Sequence, residues 1–219
     1  ELCLLRAMVA DNKAHAPAAL QLHTGHIFEA RPSMGAWLSY GLGTENQDMP
    51  AYAVIQDPRG APVNGAAVWA NGYLPAAYQG TLLRSSGTPI LNLARPAGLS
   101  HNQQRKELAL LGWLNQQHRR VRPGDSELEA RISSYELAFR MQMEAPEVVD
   151  ISQETSEVQE LYGMNDPVTA GFGRQCLLAR RLVESGVRYT LLVHGVQIGK
   201  HSWDDHGDVA GGMARHSRE

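Results

Sequence analysis

The stretch from residue 166 to residue 195 constrains this chain more than any other. Asp166-Pro167 opens an apolar helix through Cys176, Leu177, Leu178 and Leu182, Gly186 stops it, and residues 187–193 then read as a strand. A helix that ends at glycine and hands over to a short, continuous apolar run predicts a strand buried between layers, as in α/β folds with a parallel sheet. The strand ends in His194-Gly195, and His201-Ser202-Trp203-Asp204-Asp205-His206-Gly207-Asp208 follows. Sites in open α/β sheets gather beyond the carboxyl ends of strands, so function is expected there.

The remainder reads as one domain over residues 1–219, a length that leaves little room for two. The start at Glu1 and the polar end after Gly211-Gly212 predict a domain truncated at both termini. Residues 2–8 read as a strand leading into a loop marked by Asp11-Asn12-Lys13 and Pro17. Residues 32–75, rich in Gly, Pro and Asn, read as loops around one strand at 51–55, which Asp57-Pro58-Arg59-Gly60 closes as a turn. Ser100 caps a helix over 101–120 with Leu108, Leu111 and Leu114 at helical spacing, and Arg122-Pro123-Gly124-Asp125 stops it. A second helix opens with Ser126 and Glu129 as a capping box and shows Leu128, Ile132, Tyr135 and Phe139 on one face up to Pro146, which predicts a helical hairpin. Met141 and Met143 read as core filler, and Cys3 and Cys176 as buried thiols.

Charge and hydropathy exclude two classes of partner. Twenty Lys plus Arg against 23 Asp plus Glu give a net charge of -3, without the basic excess that a nucleic-acid backbone demands. No apolar run approaches the roughly 18 residues that a membrane span needs.

Histidine carries the main chemical signal. Of nine histidines, His15, His23 and His26 fall in one window and His194, His201 and His206 in another. Imidazole and carboxylate together suit zinc, iron or manganese, and Asp204 and His206 supply both ligand types in one turn. The same Trp-Asp-Asp-His-Gly-Asp stretch also reads as a solvated turn whose carboxylates cap backbone amides. His194, at the end of a buried strand, reads either as a hydrogen-bonded core residue or as a ligand, and His201 is open in the same way. His23 and His26 read as exposed loop residues. Trp69, Tyr73 and Tyr78 around Asn71-Gly72 suit either stacking on sugar rings or buried packing.

Three strings carry a resemblance. They are residues 32–46, Pro-Ser-Met-Gly-Ala-Trp-Leu-Ser-Tyr-Gly-Leu-Gly-Thr-Glu-Asn, residues 135–142, Tyr-Glu-Leu-Ala-Phe-Arg-Met-Gln, and residues 203–206, Trp-Asp-Asp-His. In that order they resemble the family called domain of unknown function 1501, whose members are loosely labelled sulfatases and grouped with alkaline-phosphatase-like hydrolases. The resemblance implies part of an alkaline-phosphatase-like fold: a central, mostly parallel sheet flanked by helices, with the hairpin as an insertion and a two-metal site at the strand ends.

On the same resemblance, Asp204 and His206 look like metal ligands, with His194 as a further one and Asp205 in reserve. The superfamily places three residues between its Asp and His, whereas one lies between Asp204 and His206. The implied cofactor is a pair of divalent metal ions, zinc foremost. Sulfatases carry a nucleophilic Cys or Ser two residues before a Pro, an Arg two residues after it, and then Leu-Thr-Gly. Pro17 and Thr24-Gly25 keep that spacing, which sets His15 at the nucleophile's place and Ala19 at the arginine's. A formylglycine mechanism is therefore unavailable, and His15 is left as a nucleophile, a metal ligand or an anion-binding group.

The resemblance places another metal-binding Asp before Glu1 and a Gly-Glu-Phe-Gly-Arg and an Asp-His segment after Glu219, so these residues alone are expected to be inactive. The implied function is hydrolysis of a sulfate or phosphate ester, on a small molecule or a polysaccharide, by an exported enzyme found in the periplasm or outside the cell. The alternative is a non-catalytic protein that keeps the fold and binds sulfated or other carbohydrate. Oligomeric state is left open.

Overall fold

The computed structural model describes residues 7–28, 31–84, 87, 89–90, 98–195 and 207–217. Its centre is a parallel sheet of three strands, β1 (Tyr52–Ile55), β2 (Thr81–Leu83) and β3 (Tyr189–Leu192), in the order β2-β1-β3. Ala53 pairs with Thr81 on one side and Thr190 on the other. All four residues of β1 are buried, as a central parallel strand covered on both faces requires.

The two-residue period of β1 sorts its side chains into two cores. Ala53 and Ile55 point into a cluster with Met49, Leu83, Met141, Ala145, Val149, Leu178, Leu182 and Val187. Tyr52 and Val54 point the other way, onto Val68 and Trp69 of a 3-10 turn, Gly65–Trp69. Burial pushes the Tyr52 phenol pKa well above its ordinary value. The chain is thus a mixed α/β fold, with helices packed on a small parallel sheet.

Helices α1 (His15–Thr24) and α2 (Met34–Leu42) occupy ground that the sequence reads as loop. In α1, Pro17 sits in the first turn, where a missing N–H costs no hydrogen bond. Gln21 clasps the backbone and carboxylate of Asp11, and the Asn64 side chain donates to the Ala16 carbonyl. His23 therefore lies on a helix, half-buried, and burial lowers its pKa. The proposed strand at 2–8 lies outside the described residues except for Ala7 and Met8, which are not in a strand. In α2, Gly35 lets the helix rest on the rings of Tyr52 and Tyr189, where any Cβ would collide.

The hairpin is present as α3 (His101–Val121) and α4 (Ser126–Val149). Ser100 caps α3 by accepting from the Gln103 N–H, but the α4 cap is Asp125, one residue earlier than expected, accepting from the Leu128 N–H. Pro146 does not end α4, whose last carbonyls at Glu147 and Val148 accept instead from the Arg181 guanidinium. The buried face also differs from the expected one. Ile132 and Met141 are buried with Ala145 and Val149, whereas Tyr135 is exposed. Met141 is core filler as read, and the Met143 side chain lies outside the described residues. In α3, Leu111 and Leu114 are exposed, and a Gln104–Gln142 hydrogen bond of 2.7 Å links the two helices.

After α5 (Ser156–Leu161), helix α6 (Ala170–Glu184) starts later than Asp166-Pro167 because that dipeptide makes a turn, with the Asp166 carboxylate accepting from the Val168 N–H. Leu177, Leu178 and Leu182 bury its sheet-facing side, and Gly186 ends it with a left-handed φ of 86°. Cys176 is half-buried and unbridged, with its thiol pKa raised by burial, while Cys3 lies outside the described residues. A short last helix, α7 (Val209–His216), closes the described chain.

Two glycines of α6 separate packing from helix propensity. A Cβ on Gly173 would fall on the Tyr162 carbonyl, whereas one on Gly171 meets nothing within 4 Å. Gly173→Ala is expected to destabilise by about 1–3 kcal/mol through overpacking, and Gly171→Ala to stabilise by up to about 1 kcal/mol. Urea unfolding of both variants checks this; equal midpoints would contradict the packing of α6 on the Tyr162 turn.

Candidate functional site

The carboxyl ends of β1 and β3 lie side by side, joined by a hydrogen bond from the Val193 N–H to the Ile55 carbonyl. Just beyond them, β1 delivers Asp57 and Arg59 on the predicted turn, closed by the Gly60 N–H on the Asp57 carbonyl, and β3 delivers His194 and Gly195. The first half of α6 covers this end with Gly171, Phe172 and Gln175. With Pro167 and Val168 at the rim, these residues enclose a cavity of about 160 Å³.

Asp57 organises the cluster. Its carboxylate is 1% exposed, and four donors fill its acceptor positions. Oδ1 takes the Arg59 backbone N–H and Nε, each at 2.8 Å. Oδ2 takes Arg59 Nη2 at 2.6 Å and the Gly195 N–H at 2.8 Å. Burial by itself would raise the carboxyl pKa, but the hydrogen bonds from Arg59 and Gly195 and the guanidinium charge outweigh it and hold the pKa down to about 2. Asp57 is thus an ionised anchor whose lone pairs are spent on the protein.

Arg59 Nη2 also lies 3.2 Å from His194 Nε2. A guanidinium only donates, so Nε2 is the acceptor in this contact. The imidazole leans on Phe172 with centroids 4.4 Å apart. Gln175 is 2% exposed; its Nε2 donates to the Gln56 carbonyl at 3.1 Å, and its Oε1 finds no donor among the described residues. The arrangement sets a guanidinium and an imidazole side by side at one small cavity.

Of the residues singled out from sequence, His194 reaches this cluster. Asp204, His206, His201 and Asp205 lie outside the described residues. His15 occupies the exposed first turn of α1 and is not among the described residues lining the cavity. His26 lies in the bend after α1, where its Nδ1 accepts from the Phe28 N–H. Trp69 is buried in the core, while Tyr73 is exposed and Tyr78 half-buried.

Among the described residues no group of three His, Cys, Asp or Glu converges as a metal site. Asp57 has no acceptor position left, and His194 would bind a metal through Nδ1 or in competition with Arg59. The described cluster therefore does not by itself fit a metal ion. Asp57, Arg59 and Gln175 were missed as site residues, although an Asp-Pro-Arg-Gly turn straight after a buried strand marks a strand end as clearly as His194-Gly195 does.

A family model described as "Protein of unknown function (DUF1501)" matches residues 1–219. No curated protein and no solved structure matches the chain.

The depressed pKa of Asp57 fixes the sign of a pH dependence. Its contribution is complete above the ordinary carboxyl value near 4 and is lost as pH falls through about 2. That contribution is about 2 kcal/mol at neutral pH. Asp57→Asn is expected to lower unfolding free energy by about 3 kcal/mol at pH 7, with the gap to wild type narrowing below pH 4. Urea unfolding across that range checks it; an unchanging gap would contradict an ionised anchor.

Proposed function

The chain belongs to the DUF1501 family of proteins of unknown function, and from that membership we propose that it is part of a metal-dependent hydrolase of sulfate or phosphate esters. An alkaline-phosphatase-like fold and export from the cytoplasm are parts of the same proposal. One observation carries it. Asp57 anchors Gly195 beside Arg59 and His194 at the carboxyl ends of parallel strands, and Asp204 and His206 follow that glycine closely in the sequence.

The residues at the cavity have distinct tasks in this reading. Arg59, held flat by its two bonds to Asp57, keeps its positive charge beside the cavity and draws in the ester anion. His194 lines the same cavity beside that cation. Asp57 is a positioning residue that fixes Arg59 and the start of the ligand-bearing segment. The metal ions, zinc foremost, would polarise the ester oxygen, and their ligands Asp204 and His206, with His194 as a third, belong to the proposal. His15 receives no step.

The test is metal analysis of the intact gene product together with turnover of p-nitrophenyl sulfate and p-nitrophenyl phosphate. Asp204→Ala and His206→Ala are expected to lose bound metal and activity together, by at least a factor of about 100 in rate. Unchanged metal content in both variants would overturn the ligand assignment. Turnover of neither ester by the metal-loaded protein would overturn the hydrolase reading.

A further inference from the structure

Helix α2 is built inside out. Its sheet-facing side is made of Gly35, Ala36 and Ser39, all buried, while Trp37 and Tyr40 stand on the solvent side, 44% and 52% exposed. An ordinary surface helix buries its aromatics and exposes its small residues. Here the small residues bring α2 onto Tyr52 and Tyr189, and the large rings have no part in that packing.

Those rings belong to a continuous row. Tyr73 meets Trp37 edge to face at 5.9 Å, Trp37 meets Tyr40 at 6.2 Å, and Tyr40 meets Tyr78 at 5.2 Å. Edge-to-face contacts hold each ring in place, so the row is a preorganised surface. Tyr78 also lines the wall of a cavity of about 510 Å³ at the amino ends of β1 and β2, far larger than the one at Asp57. Thr44, Gln79, Thr81, Ser133 and Ser134 supply polar groups to its wall, and none of the described residues lining it is charged.

We infer that the aromatic row and its adjoining cavity form a binding site for a neutral oligosaccharide. A pyranose has an apolar C–H face that stacks on an aromatic ring and a rim of hydroxyls that exchange hydrogen bonds with Ser, Thr, Gln and Tyr. Trp and Tyr offer such amphipathic area at little cost in side-chain entropy. A sulfated or otherwise anionic sugar calls for Arg or Lys, which the described cavity wall does not provide. The site lies at the amino ends of the strands, opposite the Asp57 cluster, and does not rest on the hydrolase proposal.

Isothermal titration with cellohexaose, laminarihexaose, mannohexaose and xylohexaose tests it on the intact protein, with a proline-rich peptide as the competing ligand. Saturable binding of at least one hexasaccharide is expected, weakened by about tenfold or more in Trp37→Ala and in Tyr73→Ala, which corresponds to at least about 1.4 kcal/mol. Tyr73 lies on an exposed loop, so its variant keeps the test sound even if Trp37→Ala fails to fold. Binding of none of the four sugars, saturation by the peptide instead, or unchanged affinity in the folded variants would overturn the inference. The readout needs neither metal nor turnover, so its failure leaves the hydrolase proposal standing and the reverse also holds.

Discussion

The Asp57 carboxylate is the interaction on which the functional end of this fold depends. Two neighbouring parallel strands end within a hydrogen bond of each other, and the peptide groups that follow need partners of their own. Asp57 supplies them, accepting from its own turn and, across the strand ends, from Gly195. A buried carboxylate is tolerable only with full compensation, and Arg59 completes it with two charge-assisted bonds. Arg59 in turn reaches His194 Nε2 at 3.2 Å. One anion thus holds the Gly195 amide after β3 and the orientation of a cation that reaches an imidazole.

The sheet makes that arrangement possible because β1 is held from both sides. Ile55 and Ala53 are packed against α4 and α6, and Tyr52 and Val54 against the 65–69 turn, so the strand that carries Asp57 has little freedom. Gln175 ties α6 to the same strand end through the Gln56 carbonyl. Glu154 binds both Arg180 and Arg181, and Arg181 also caps the end of α4, which locks the two covering helices together. The cavity is lined by α6 and the turn after β1, the elements tied in this way.

What the sequence shows of this fold follows from how local each signal is. The helix-Gly-strand unit ending at His194, the strand before Asp57 and the hairpin are legible because periodicity and stop signals lie within a few residues of one another. Helix α1 is hidden because Pro17 reads as a breaker, although the first turn accepts it. Helix α2 is hidden because its buried side is Gly, Ala and Ser, so no apolar stripe announces it. Strand β2 is three residues long and is recognisable as a strand only from its pairing with β1. The site divides in the same way. His194 stands out by residue type and position, but Asp57 acts through a glycine 138 residues away, a partnership that no local pattern encodes.

The central claim is that Asp57 clamps the exit of β3, and hydrogen exchange at the Gly195 amide tests it most directly. The account predicts protection of that amide close to the level of the β1 core amides in the wild-type protein, and its loss in Asp57→Asn while the β1 amides stay protected. A Gly195 amide that exchanges freely in the wild type, or one that is equally slow in the variant, would contradict it.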